Sequence, residues 1–227
     1  MSDYDKAREL ALCITQVANA AGLKTSSLLT DMNQCLGYNA GNALEIHEAI
    51  QFLTGKKQAP RLKKVIFALC SELLVISKLA DSNDQAAAML NKALDSGKAA
   101  DIFGKMVSLL GGPSNLIENY EQYLPKATIA RPLFSDHTGY VSKIDTRALG
   151  LSVVSLGGGR THAEDTINSS VGLEKVISLG ESSDQPLAII HANCEAGWQE
   201  AAQQIKNAIS FEANPRAKLP VIYEVLR

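Results

Sequence analysis

The chain is short of aromatics, of paired cysteines and of any long run of one charge. Phe, Trp and Tyr make up 5% of its 227 residues, and Trp198 is the one tryptophan. That is too little to build a stacking platform for single-stranded nucleic acid. Lys and Arg number 22 against 24 Asp and Glu, a formal net charge of −2. Without a basic stripe and interleaved aromatics, the electrostatic footprint of a nucleic-acid binder is lacking. Cys13, Cys35, Cys70 and Cys194 are widely spaced and form no CxxC pair, which argues against a disulfide framework or a structural zinc site. Buried, reduced thiols are the plain expectation, and a cytoplasmic location goes with them. The opening residues carry no apolar signal core. The longest apolar stretch, 65–80, is broken by Ser71, Glu72 and Lys78 and is too short and too polar to span a bilayer.

Familiar catalytic patterns are lacking as well. His47, His137, His162 and His191 show no HxxxH spacing, so a histidine metal centre is not expected. No G-x-S-x-G elbow occurs. His191 lies in an apolar run and reads as a core histidine with a hydrogen-bond partner rather than a base. What remains is an ordinary globular balance, 46% apolar and 20% charged, enough to bury a substantial core.

Local patterning divides the chain near residue 123. Before it the signals are mostly helical. Leu10, Cys13, Ile14, Val17 and Ala21 recur at helical spacing, and Gly22 can end that helix. Residues 27–32 read as a strand or strand-like link, 43–53 as a helix, and 61–79 as a helix apolar almost all round, which belongs inside a larger structure. Ser82 and Gln85 have capping-box spacing before a helix that Gly97 can close. Helices at 98–110 and 115–123 follow, separated by Gly111-Gly112-Pro113. After Pro125 the texture turns toward strands, at 128–134, 139–144, 173–178, 187–191 and 221–226. Asp145 can cap a helix running into Gly157-Gly158-Gly159, and 194–209 reads as an amphipathic helix. The expected fold class is α/β followed by α+β, a helix-rich first unit and a compact mixed second one.

The stretch from Thr30 to Glu45, TDMNQCLGYNAGNALE, is a glycine-bearing loop opening a helix. From physics alone it is a plain helix entry or an anion site at a helix N-terminus. The segment resembles the thymidine and pyrimidine-nucleoside phosphorylase family, where a strand ending in T-D-M-N/S-Q leads into G-N-A-L/V-E. The resemblance continues in order through 49–55, Tyr123-Leu124-Pro125, 145–150 and Gly157-Gly158-Gly159-Arg160. It then runs through Asp165-Thr166-Ile167, Ser170-Val171-Gly172 and 186–192. Each motif is weak alone, but together they are collinear from about residue 5 to residue 226.

This resemblance implies an enzyme that cleaves thymidine with phosphate to thymine and 2-deoxyribose 1-phosphate, working as a homodimer. Residues 1–123 would be the C-terminal part of the family's large α/β domain and 124–227 its α/β-hammerhead domain. The family's phosphate loop (Lys-His-Ser followed by Thr and glycines) and its base-holding Arg, Ser and Lys precede the region matched here. The expectation is therefore a C-terminal portion with no catalytic residue of its own, and the N-terminal half of the enzyme as its partner. The alternatives are a non-catalytic interaction module, a remnant of a disrupted gene, or a regulatory binder that kept part of the cleft. No cofactor is required, and phosphate is a co-substrate. The resemblance also implies a potassium or calcium site in the complete enzyme, using the backbone carbonyls of Leu36 and Asn39 and the Glu48 carboxylate, oxygen ligands suited to a hard cation. The competing reading puts Glu48 on a solvated helix face. The readings of Gly157, Gly158, Gly159 and Arg160 are a structural turn, the cleft-closing loop that the resemblance implies, or an independent phosphate site. Their spacing fits no P-loop or dinucleotide fingerprint. Lys175 lacks the hairpin context of a carrier lysine.

Overall fold

The elements follow the sequence signals closely in position and less closely in packing. The computed structural model describes residues 3–215 and 219–227. In chain order its elements are α1 (Tyr4–Ala20), β1 (Ser27–Thr30), α2 (Asn42–Leu53), α3 (Pro60–Ile76), α4 (Asn83–Asp95), α5 (Lys98–Leu109) and α6 (Leu116–Tyr123). They continue with β2 (Ile129–Leu133), β3 (Tyr140–Ile144), α7 (Thr146–Val153), β4 (Gly172–Glu174), β5 (Ala188–Ala192), α8 (Glu195–Ala208), β6 (Ile209–Glu212) and β7 (Ile222–Leu226). The chain is of mixed α/β type. Among the described residues, no helix is long and apolar enough to cross a membrane.

Two compact units interleave along the chain, and the change of texture near residue 123 falls inside the second. The first comprises the described parts of Met1–Asp31, Pro60–Ser96 and Leu219–Arg227. Its helix α1 starts where the Asp3 side chain accepts from the Lys6 N–H at 2.9 Å, satisfying an orphan donor. The face of α1 that packs is not its apolar stripe. Thr15 is the buried residue, its hydroxyl 2.7 Å from that of Ser27 on β1. Leu10, Ile14 and Val17 point outward, 49%, 53% and 65% exposed. Strand β1 pairs antiparallel with β7, Ser27 opposite Leu226, so two segments far apart in sequence make the two-stranded sheet.

Helix α3 also departs from expectation. Leu69 and Leu73 are exposed while Glu72 is buried. The buried carboxylate is tolerable because the Arg227 guanidinium donates to both its oxygens; an unpaired one would be costly. Arg61 on the same helix donates to the buried Asp31 carboxylate at 3.0 Å. Helix α4 opens with the expected box. Ser82 Oγ accepts from the Gln85 N–H at 3.2 Å, and Gln85 Oε1 accepts from the Asp81 N–H at 2.6 Å.

The second unit comprises the described parts of Met32–Ala59 and Gly97–Lys218. An antiparallel sheet of order β2-β5-β4 carries its core, with β3 paired to β6. On β5, Ala188, Ile190 and Ala192 are buried while Ile189 and His191 are half-buried, the period-2 alternation of a strand. Ile190 joins Leu149, Leu173, Leu187 and Ile205 in one cluster. Pro132 sits on β2, an edge strand, where its missing N–H costs no ladder bond. A second cluster of Ile50, Leu116 and Tyr120 ties α2 to α6.

Three expectations are corrected here. The strand expected at 173–178 stops at Glu174, because Lys175 turns into the left-handed region at φ 53°. The helix expected to reach 209 ends at Ala208, and Ile209 begins β6 without a loop. Cys13 and Cys194 are exposed rather than buried. Cys194 caps α8, its sulfur accepting from the Gly197 N–H at 3.4 Å.

Candidate functional site

The loop before α2 and the segment before β4 are held together by backbone. Ala40 N donates to Leu173 O at 2.8 Å and Leu173 N to Ala40 O at 2.7 Å. The crossing is so close that Gly41 and Gly172 face each other at φ 136° and 152°. Two N–H groups at the helix entry are bonded within the chain. Gly41 N–H donates to the Glu45 carboxylate at 3.0 Å and Ala43 N–H to Ser169 O at 3.0 Å.

The Glu48 side chain is buried under the same loop, not on a solvated face. Its two oxygens accept from the Tyr38 N–H at 2.8 Å and the Asn39 N–H at 3.1 Å. Gly37 leaves room for it: a Cβ there would lie 2.7 Å from a Glu48 oxygen. One carboxylate whose two oxygens already accept backbone N–H bonds falls short of the six to eight oxygens calcium takes. Among the described residues no three His, Cys, Asp or Glu side chains converge on a metal position. These residues fit a potassium or calcium ion only as part of a larger ligand set.

The glycine loop is tied to the helix entry by Asn42, whose amide donates to Gly158 O at 3.2 Å. Residues Val154–Gly158 form a π-type turn closed by Gly157 at φ 92°. Arg160 turns back on its own loop, donating to Asp165 O at 3.1 Å. The Asp165 carboxylate accepts from the Thr161 hydroxyl and from the N–H groups of His162 and Thr161. The Thr161 hydroxyl bond and then these backbone bonds hold its carboxyl below the usual range. Arg160 thus has its Nε engaged within the loop.

Sequence reasoning missed a cavity of about 570 Å³ within the second unit, bounded by α2, the α6–β2 connection, β4 and β5. Leu44, Leu124, Pro125 and Ala130 give it an apolar floor. Lys57, Lys126 and Lys175 line it, with Glu121 and Glu174. His191 has the partner expected of it, but at this cavity rather than in a closed core. Its Nε2 lies 3.1 Å from Glu174 Oε2, and Lys175 Nζ lies 3.2 Å from the other oxygen. Burial would raise the Glu174 carboxyl, but the His191 and Lys175 hydrogen bonds hold it below its ordinary range. Asn39 locks the lysine from behind, its Oδ1 accepting from Lys175 N–H at 3.1 Å. The residues that converge here lie up to 152 positions apart in sequence, from Asn39 to His191, so no local motif could have announced them.

Comparison with known families matches each end of the chain separately. Residues 1–100 match the glycosyl transferase family a/b domain, and residues 140–212 match the pyrimidine nucleoside phosphorylase C-terminal domain. These two matches, in this order on one chain and on segments that carry most of the collinear motifs, make it a member of the thymidine/pyrimidine-nucleoside phosphorylase family.

Proposed function

We propose that this chain is the C-terminal portion of a thymidine phosphorylase. In the reaction, phosphate attacks C1′ of thymidine as the C1′–N1 bond breaks, thymine leaves with the bonding pair, and 2-deoxyribose 1-phosphate forms. The observation that carries the reading is the order of the two family matches, a/b domain first and phosphorylase C-terminal domain second. Such a reaction needs donors or cations around the phosphate and stabilisation of charge on the departing base. In this sequence the family's Lys-His-Ser phosphate loop does not occur, and Arg160 is bonded within its own loop. We therefore assign phosphate and base binding to an N-terminal half, with residues 157–160 as the loop that closes over the cleft. Residues 124–227 would be the hammerhead domain, and the complete enzyme a cytoplasmic homodimer. Glu48, with the carbonyls of Leu36 and Asn39, would contribute part of a potassium or calcium site in that enzyme, a charge held beside the phosphate region.

The test is thymidine phosphorolysis, read as loss of thymidine ultraviolet absorbance in phosphate buffer. The expected outcome is no turnover by the chain alone and turnover on mixing with a folded N-terminal half. Turnover by the chain alone would overturn the assignment of the catalytic groups. No turnover on mixing, with binding of the two halves demonstrated, would favour a non-catalytic interaction module.

A further inference from the structure

We propose that the cavity between α2, the α6–β2 connection and the β4–β5 strands binds a small organic anion with an apolar body. Its volume, about 570 Å³, lies in the range of small-molecule sites, which combine apolar walls with a few placed polar groups. Leu44, Leu124, Pro125 and Ala130 supply the walls. The charge balance selects the sign of the ligand. Of the two lining carboxylates, Glu174 is already paired with His191 and Lys175. Lys57 and Lys126 also line the cavity, and among the described residues neither makes an ion pair. The Lys57 ammonium instead sits 4.4 Å from the centre of the Tyr38 ring, a contact that orients the cation and leaves its remaining donors for a ligand. Glu121 alone opposes these two lysines, so an anion entering the cavity meets a net positive lining.

The cavity wall is also pre-set. Lys175 adopts φ 53°, a region lysine rarely visits, and strained backbone persists only where surrounding contacts over-determine it. Here those contacts are the Asn39 amide behind it and Glu174 beside it. These contacts fix the Lys175 backbone and set its ammonium beside Glu174 on the lining, with the Ser170 hydroxyl and the Gln51 amide also on it. A carboxylate or a phosphomonoester would supply the matching anionic oxygens.

The test titrates the 227-residue chain with phenyl phosphate, benzoate, neutral benzamide and cationic benzylammonium, read by amide chemical shifts. Expected are saturable binding of an anion at about 1 mM or tighter and shifts centred on residues 172–175 and His191. Preference for phenyl phosphate assigns a phosphomonoester head group, and preference for benzoate a carboxylate. The double variant Lys57→Met/Lys126→Met should weaken anion binding about tenfold. Equal binding of benzamide, preference for benzylammonium, or shifts that map elsewhere would overturn the proposal. Unchanged affinity in a variant with parental circular dichroism would do the same. The shift map of the parent chain decides the matter even where the variant does not fold.

Discussion

Gly172 stands where two backbone segments cross, and its side-chain hydrogen is the largest group the crossing accepts. A Cβ there would collide with the Ala40 carbonyl oxygen and come within 2.9 Å of Gly41 Cα, on top of the penalty for φ 152°. Gly172→Ala should therefore destabilise the second unit by about 3 kcal/mol, measured as a lowered urea midpoint by Trp198 fluorescence. A midpoint within error of the parent would mean the crossing is not made. Glu72 offers a residue-scale effect of pH. The Arg227 hydrogen bonds hold its folded carboxyl below the usual value although burial opposes this. Its contribution is complete above the unfolded pKa of about 4.3 and is lost as pH falls through the lower folded value. Stability of the parent should decline on that acid limb more steeply than that of Glu72→Gln. Parallel urea midpoints from neutral pH to about pH 3 would contradict it. The role of Gly172 was readable only as a motif member, since what its missing side chain avoids is contributed by residue 40.

Elements were legible wherever the signal was local. The Ser82 box placed the start of α4, and Ser82→Ala should cost about 1 kcal/mol, seen as a lower thermal midpoint and removed if Asp or Asn is placed there instead. Asp145 likewise caps α7, accepting from the Ala148 N–H at 3.0 Å. Burial was less legible than position. The apolar stripe of α1 predicted its inner face, yet the helix packs through Thr15 and small neighbours while Val17 faces outward. Val17→Ser should accordingly change stability by less than about 0.5 kcal/mol, in spite of replacing an apolar residue on an amphipathic helix. A loss of several times that in the urea midpoint would place Val17 in a packed interface. Helical periodicity says that a face wants cover. It does not say which element supplies it, and here β1 takes the polar side through the Thr15–Ser27 contact.

For the molecule as a whole, the outward stripe of α1 and the exposed Leu69 and Leu73 of α3 leave large apolar side chains facing water, the kind of surface that association covers. The isolated chain should associate in a concentration-dependent way in sedimentation and bind a hydrophobic dye. A clean monomer with little dye-accessible surface would show that this surface needs no partner. The sequence by itself determined most helix and strand positions, the Ser82 and Asp145 caps, the mixed α/β class and the family, because propensity, turn chemistry and collinear motifs are local or ordered along the chain. Only the tertiary structure decided that β7 closes on β1, that Glu48 is buried against backbone N–H groups, and that Lys57, Lys126, Lys175 and His191 line one cavity. Those outcomes depend on which distant backbones meet, and no period or spacing in the sequence encodes that.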